Sequence, residues 1–438
     1  MSLVIVLIGI LVLVILLGYF KLDTFISFII VSIGLGLALG IPVESISGAI
    51  QKGIGGTIGF LVIILGLGAM LGKLVAESGA AQRISDSLIS AFPEKYMQWA
   101  LVLTGFVVGI PMFYSVGFVI LLPLVFTVAA TTRLPLLYVG LPMLAALSVT
   151  HGYLPPHPAP TALVGSYGAD MGLTLLYGLI VAIPAIILGG PVFSRTLKKY
   201  NPKPLKSFYN DKKFRDDEMP GLTISLFTAL LPIVLLAGSA LCKIFLENDH
   251  SFLTLINFIG DPVIAMVITI LVAIYTLGIR QGKTIKKVSN LFVYAIKDIA
   301  MILLIIAGAG ALKEILVVSE VSLYIGEQFQ AMSISPLILA WGIAAIIRVC
   351  VGSATVAGLT SAGIVAPLIP LTGANPNLMV LATGAGSLMF SHVNDAGFWL
   401  FKEYFNMTVV DTLKTWSVME TIVSVAGIVG VLILNQFI

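Results

Sequence analysis

Long apolar runs separated by short polar turns extend along the chain almost from end to end. Fourteen apolar spans can be marked in the 438 residues, and runs such as 24–41, 55–76 and 222–246 each have about the length of a membrane-crossing helix. A helix needs about 20 apolar residues to cross about 30 Å of hydrocarbon. The pattern therefore predicts an all-α polytopic membrane protein. The first run, 3–18, has no basic stretch before it and no small-residue cleavage site after it, so we expect a retained transmembrane helix.

Two segments interrupt the helical pattern. Segment 148–161 has four prolines within six residues, and segment 388–399 has a Ser-His-Val-Asn-Asp run between apolar spans. Proline removes a backbone donor and clashes with the preceding turn, so the first segment cannot be one continuous helix. Irregular backbone at membrane depth is tolerated only where protein covers it or a watery cavity adjoins it. We expect broken helices that line a binding site. The alternative is that each segment is a loop outside the membrane.

Composition agrees with a membrane protein. The chain is 58% hydrophobic and only 10% charged, with a mean hydropathy of +1.09. Soluble proteins carry about 25% charged residues, so lipid has to be the main solvent here. The formal charge of +3, with the basic residues confined to a few loops, argues against a nucleic-acid partner. We expect Cys242 and Cys350, which lie in apolar runs, to be small buried residues and not a disulfide or metal ligands.

One long hydrophilic segment, 195–220, lies near the middle of the chain. It is rich in Lys and Arg, and cytoplasmic loops of membrane proteins carry an excess of these residues. We therefore expect an N-terminal transmembrane repeat over 1–194, a cytoplasmic linker over 195–220 and a C-terminal transmembrane repeat over 221–438.

The two halves share polar residues at a constant offset of 241 positions. The matching pairs are Thr150 with Ser391, His151 with His392, Asp170 with Asp411, and Thr174 with Thr415. Two such halves that each cross the membrane an odd number of times are related as inverted repeats. The fold we expect is two inverted repeats with broken or re-entrant helices.

An arginine lies near the end of the apolar span 334–350. Arg348 is followed by a Gly-Ser-Ala-Thr run that includes Gly352, Ser353 and Thr355. A buried guanidinium is a planar fork of donors that matches a carboxylate, and the neighbouring hydroxyls and amides suit the oxygens of a sugar acid. The alternative is that Arg348 extends to the membrane surface. The equivalent place in the first half is 109–117, which makes Ser115 a further candidate for substrate binding.

The broken segments contribute the remaining candidates. Charges in the bilayer centre are costly, so ionisable residues there are functional candidates by default. We expect His151 and Asn394 to contact substrate. The proton carriers are expected among Asp395, His392 and His157, because a histidine changes charge near neutral pH and a carboxylate can exchange a proton.

Three motifs in these segments resemble the gluconate permease family of gluconate:proton symporters. They are V-T-H-G-Y-L-P-P-H-P over 149–158, G-S-A-T-V-A over 352–357 and S-H-V-N-D-A-G-F-W-L-F-K-E-Y-F over 391–405. The resemblance extends from about residue 20 to the C-terminus. It implies uptake of gluconate or a relative such as idonate, ketogluconate, glycerate or D-serine. It also implies the ion-transporter superfamily fold, with inverted repeats and an elevator-type transport domain.

The sequence departs from that family pattern at three positions. Ala159 stands where many relatives have Gly, and Ala396 where many have Pro. Ser115 stands where relatives often carry Glu, which leaves both the proton stoichiometry and the particular sugar acid open.

Other functional classes fit less well. The sequence has no H-E-x-x-H helix and no evident Ser/His/Asp set, so we expect neither an enzyme nor a metal or other cofactor. A channel would need rings of like charge or repeated filter strands, which are not evident. A sodium-coupled carboxylate, hydroxy-acid or D-serine carrier is the main alternative, because unwound carbonyls also suit Na⁺. We expect a multi-pass protein of the cell inner membrane that forms a homo-oligomer, either a dimer or a trimer.

Overall fold

The protein, a computed structural model, is described over residues 2–198, 200, 202, 214–245, 251–319 and 334–438. Within these ranges the regular structure is helical, with no strand. The helices before the linker are α1 Ser2–Gly18, α2 Thr24–Ala38, α3 Val43–Glu77, α4 Ala80–Ala91, α5 Met97–Gly109, α6 Tyr114–Thr132, α7 Leu136–Tyr153, α8 Pro158–Tyr167 and α9 Met171–Ile187. Most of the expected linker, 203–213, lies outside the described residues.

The second half has a similar succession of long and short helices. They are α10 Leu222–Phe245, α11 Ser251–Ile259, α12 Pro262–Ala273, α13 Ile285–Val318, α14 Pro336–Val351, α15 Ala354–Val365, α16 Leu368–Thr372, α17 Pro376–Gly386, α18 Ala396–Tyr404, α19 Val409–Thr412 and α20 Val418–Leu434.

The helices confirm a polytopic membrane protein. In the described ranges, six are long and apolar enough to cross a bilayer, or seven if the two arms of α3, bent by 42°, count as one span. Some shorter apolar spans form helix pairs joined by tight turns. The turn 110–113 joins α5 to α6, and Gly352 and Ser353 join α14 to α15. We call these pairs the first and second hairpins.

Two long helices, α3 and α13, pack closely where glycines meet. A Cβ added to Gly53 would lie 2.4 Å from the carbonyl oxygen of Gly310, so only glycine permits this approach. Small residues at helix crossings allow the backbone contact that drives association in membranes. Charged residues of the two helices also meet, because Lys52 Nζ lies 2.7 Å from Glu314 Oε1 and Lys73 Nζ lies 4.0 Å from Asp298 Oδ2.

The proline-rich segment breaks a helix as its sequence predicts. Helix α7 ends at Tyr153, and α8 begins at Pro158, where proline is favoured because the first-turn amide has no partner in the helix. The second break separates α17 from α18. A Cβ on Gly384 would lie 2.3 Å from the carbonyl oxygen of Gly152, so the two broken helices are in backbone contact.

The cysteine expectation needs correction. Cys350 is exposed and Cys242 is only partly buried. Cys350 lies in the last turn of α14 at the hairpin turn, where the side chain has left the packed interior.

Candidate functional site

A cavity of about 560 Å³ lies where the hairpin turns meet the broken helices. Its wall includes residues from both hairpins, from α7, from α13 and from the start of α18. Trp416, just before α20, and Glu420, in the first turn of α20, also line it. The hairpin turns and helix breaks carry free backbone groups, which explains why a polar cavity forms here in an otherwise apolar protein.

The turn of the second hairpin is fixed by a glycine. Gly352 has φ +83°, and its amide donates to the carbonyl of Arg348 at 2.9 Å, which ends α14. A Cβ there would lie 2.2 Å from the carbonyl oxygen of Asn394. The Ser353 hydroxyl then caps α15 by accepting from the amide of Val356 at 3.3 Å. The turn is thereby held against the break before α18.

Arg348 is the only Arg or Lys side chain that lines the cavity within the described residues, and it is 3% exposed. Its Nη2 donates to Asp395 Oδ2 at 2.5 Å. Its Nε and Nη1 are buried and have no hydrogen-bond partner in the described part of the chain. The guanidinium is therefore covered by protein and does not extend to the protein surface. This leaves a charged fork with two donors unused.

Asp395 orients this arginine. Its Oδ2 also accepts from the Ser391 hydroxyl, and its Oδ1 accepts from the amide of Gly397 at 3.0 Å, which caps α18. The carboxylate therefore has an arginine, a hydroxyl and a backbone amide as donors. It is fully engaged by the protein.

Three helices begin at the cavity. The residues that line it include Tyr114 in the first turn of α6, Ala354 in that of α15 and Ala396 in that of α18. The first turn of a helix presents free amides and the positive end of the helix dipole. Together with Arg348, these three termini make the cavity suited to an anion.

Buried polar atoms without partners cluster around the same space. Besides Arg348, they include the Tyr114 hydroxyl, His151 Nδ1 and Glu420 Oε2, none of which has a partner in the ranges described. The other oxygen of Glu420 accepts from the Ser148 hydroxyl. Buried polar groups almost always have a partner, so this cluster indicates a polar ligand or water in the cavity.

Most of the residues selected from the sequence come together here. Those lining the cavity are Arg348, Gly352, Ser353, Thr355, His151, Asn394 and Asp395. Ser115 lies in the first turn of α6 between the lining residues Tyr114 and Val116, and its side chain lies outside the described part of the structure.

His157 and His392 do not line the cavity. His157 is buried and its Nε2 donates to the carbonyl of Gly109 at 2.9 Å, at the end of α5. His392 Nε2 donates to the carbonyl of Val349 at 2.8 Å, near the end of α14. In each hairpin a histidine of a broken segment thus satisfies a last-turn carbonyl. Their assignment as proton carriers stays a prediction.

Several residues of the cavity wall are not among the residues predicted from the sequence. Glu420, Ser148 and Trp416 line the cavity, and the Trp416 ring stacks on Phe401 with centroids 5.3 Å apart. Glu420 could have been found, because it is the only acidic residue in the apolar span 415–437. Ser148 and Trp416 carry no comparable signal.

A second polar cavity, of about 370 Å³, lies between α3, α13 and the end of α8. We call it the lateral cavity. Lys52, Lys313 and Glu314 line it, and Lys313 Nζ donates to the carbonyl of Ser166 at 2.8 Å. Lys52 contacts Glu314 as described above, so both lysines have an oxygen partner. No cluster of three His, Cys, Asp or Glu side chains suited to a metal occurs among the described residues.

Comparison with known proteins gives consistent matches. The model of the GntP family permease matches residues 1–438. The chain is 52% identical to the high-affinity gluconate transporter of Escherichia coli (strain K12), over 100% of both chains. It is 50% identical to the Gnt-II system L-idonate transporter of the same organism, over 99% of both. Among solved structures, the Alcanivorax borkumensis YdaH transporter is similar, with a TM-score of 0.65 and 18% identity over 94% of this chain and 96% of that one.

These matches confirm the resemblance that the three motifs carry. The family and the relatives are transporters, which sets the protein apart from enzymes. The likeness to the solved structure supports the all-helical membrane fold alone. The chain belongs to the GntP family of permeases.

Proposed function

We propose that this protein takes up gluconate or a closely related sugar acid across the cell inner membrane, together with protons. The observation that carries the proposal is Arg348, a buried guanidinium with two unused donors at a cavity of about 560 Å³. Two relatives, 52% and 50% identical to this chain, are named as transporters of gluconate and of L-idonate. Both compounds are sugar acids.

The binding mode follows from the donors that the cavity offers. The substrate carboxylate is expected at Arg348 Nε and Nη1, because a guanidinium and a carboxylate match as two parallel hydrogen bonds. The three helix N-termini add positive potential at the same place. Ser353, Thr355 and Asn394 line the cavity beside the arginine and supply partners for the sugar hydroxyls.

The charge of the substrate supports the proposal of a coupled proton. A sugar acid is a monoanion at neutral pH, and moving one charge against the membrane potential costs about 2.3 kcal/mol per 100 mV. One accompanying proton makes transport electroneutral, and a second one adds the membrane potential as a driving force. The sequence-based assignment of the proton to Asp395, His392 or His157 stays a prediction.

The helix order supports two repeats, and we propose that they are inverted. Shifting the first half by 241 positions brings the bounds of α3 onto those of α13 and the bounds of α5 onto those of α14 within two residues, and it brings the start of α7 within one residue of the start of α17. In an elevator-type mechanism, the hairpins and broken helices would move as one body against α3 and α13. We further propose that the linker is cytoplasmic and that the protein assembles as a dimer or trimer.

Uptake by reconstituted protein tests this function. Radiolabelled gluconate should accumulate in proteoliposomes when the inside is alkaline, and unlabelled L-idonate should compete. Replacing Na⁺ by K⁺ or choline should leave accumulation unchanged. Accumulation that requires a Na⁺ gradient, or uptake of D-serine without uptake of sugar acids, would contradict the proposal. Neither the family match nor the relatives named above support that sodium-coupled or D-serine alternative.

A further inference from the structure

One buried acid of the cavity wall has no role in the binding mode above. Glu420 lies in the first turn of α20 and is 2% exposed. Its Oε1 accepts from the hydroxyl of Ser148, and its Oε2 is buried with no partner among the described residues. The carboxyl group therefore borders the cavity with one oxygen unused.

The groups around Glu420 do not neutralise it. Within the described residues, no basic side chain lies within the 4.0 Å that defines an ion pair with this carboxyl, and the one nearby cation, Arg348, pairs with Asp395. The titratable or charged groups that face it from neighbouring elements are Tyr114 on α6, His151 and Tyr153 on α7, Arg348 on α14 and Asp395 before α18. Asp298 on α13 lies on the same cavity and is largely exposed.

The protonation of Glu420 sets the net charge of the buried site. With Glu420 ionised, Arg348, Asp395 and Glu420 sum to one negative charge, which repels an incoming anion. With Glu420 neutral, the three sum to zero, and the carboxyl gains an O–H that can donate to an oxygen of the substrate. A like charge at short range in a desolvated site is unfavourable, so the anion binds better to the neutral form.

We propose that Glu420 carries the coupled proton. The proposal rests on the proposed uptake of a sugar-acid anion and names the group that couples it. A proton from outside binds the Glu420 carboxylate, the anion then binds at Arg348, and both leave on the inner side. Each cycle moves one proton and one anion, so no net charge crosses. By reciprocity, the proton strengthens anion binding by the factor by which the anion strengthens proton binding.

Asp395 is less suited to this role. Both of its oxygens already accept hydrogen bonds, from Arg348 and Ser391 on one side and from the Gly397 amide on the other. A proton on Asp395 would compete with these donors and release Arg348. Asp395 is therefore a positioning residue for the arginine, whereas Glu420 has a free oxygen at the cavity.

The test is the pH dependence of gluconate binding to the purified full-length protein. The wild-type Kd should rise about tenfold per pH unit on the alkaline limb, the slope for one linked proton. Glu420→Gln should bind within about threefold of the wild-type low-pH Kd at every pH. In proteoliposomes it should retain gluconate counterflow and lose accumulation driven by a pH gradient. The control Glu314→Gln removes a carboxylate from the lateral cavity and should keep the wild-type slope.

A second variant distinguishes loss of the carboxylate from a folding defect. Glu420→Asp keeps a carboxylate at the position and should retain the pH slope even if its affinity is lower. A wild-type slope in Glu420→Gln, or a flat profile in Asp395→Asn with the slope kept in Glu420→Gln, would overturn the assignment to Glu420. Absence of gluconate binding by the wild-type protein at all pH values would instead overturn the proposed function.

Discussion

The two polar cavities of this protein differ in how their charges are used. In the central cavity, Arg348 keeps two buried donors without partners and Glu420 keeps one free oxygen, as far as the described residues extend. In the lateral cavity, Lys52 lies 2.7 Å from Glu314 Oε1, and Lys313 donates to the carbonyl of Ser166 at 2.8 Å. The central cavity thus keeps charged groups with unused hydrogen-bonding atoms, whereas each lysine of the lateral cavity has an oxygen partner, and Glu314 Oε1 lies within ion-pair distance of Lys52 without a hydrogen bond among the described residues.

This difference separates binding from structure. Leaving a buried donor or acceptor without a hydrogen-bond partner costs about 1–3 kcal/mol. Such groups therefore persist where a ligand supplies the missing partner. The lateral cavity has no such deficit on its lysines. Its contacts join α3 to α13 and α13 to the end of α8. We therefore expect changes in the central cavity to act on substrate affinity, and changes in the lateral cavity to act on motion between these helices.

The largest effect is expected at Arg348. Arg348→Gln leaves the substrate carboxylate and Asp395 without a cation, and losing one partner of a desolvated charge pair costs about 2–5 kcal/mol. Gluconate Kd should rise by about 30-fold to several thousand-fold. Arg348→Lys keeps the charge without the planar fork and should lie between wild type and Gln. Wild-type gluconate affinity in Arg348→Gln would contradict the assignment of substrate binding to the central cavity.

A smaller but substantial effect is expected at the turn of the second hairpin. Gly352→Ala puts a Cβ 2.2 Å from the carbonyl oxygen of Asn394, at a residue with φ +83°. Strained backbone of this kind costs about 1–3 kcal/mol, and the turn has to move away from the cavity. We expect weaker gluconate binding and a lower melting temperature. Gly342→Ala in α14, the helix before this turn, is the control, because a Cβ there meets nothing within 4 Å. Equal melting temperatures of the two variants would contradict the account of the turn.

The smallest effect on affinity is expected in the lateral cavity. Lys313→Met removes the bond to the carbonyl of Ser166 and keeps the length of the side chain. Gluconate Kd should stay within about threefold of wild type, while the rate of counterflow in proteoliposomes should change, because the bond links α13 to a broken helix. A large loss of affinity with an unchanged exchange rate would place substrate binding at the lateral cavity.

The sequence predicts the parts of this structure that depend on local chemistry. The prolines of 148–161 end α7, and the apolar spans become helices, because both effects act within a turn of the chain. Arg348 also stands out locally, because a charged residue is unusual inside an apolar span.

The rest depends on contacts between distant segments. The Ser148 hydroxyl donates to Glu420 although 272 positions separate the two residues, and no local sequence pattern predicts this hydrogen bond. His157 and His392 were selected for their chemistry, but each donates to a hairpin carbonyl 48 or 43 positions away and not into the cavity. Which polar residues share a cavity is decided by packing, which a linear pattern does not contain.

The central claim is that the sugar acid binds in the central cavity at Arg348. An experimental structure of the full-length protein with gluconate bound tests it most directly. We expect the carboxylate within hydrogen-bond distance of Arg348 Nε or Nη1, about 2.7–3.2 Å, with hydroxyls near Ser353, Thr355 or Asn394. Gluconate bound between Lys52 and Lys313, with the Arg348 donors still unused, would contradict the account.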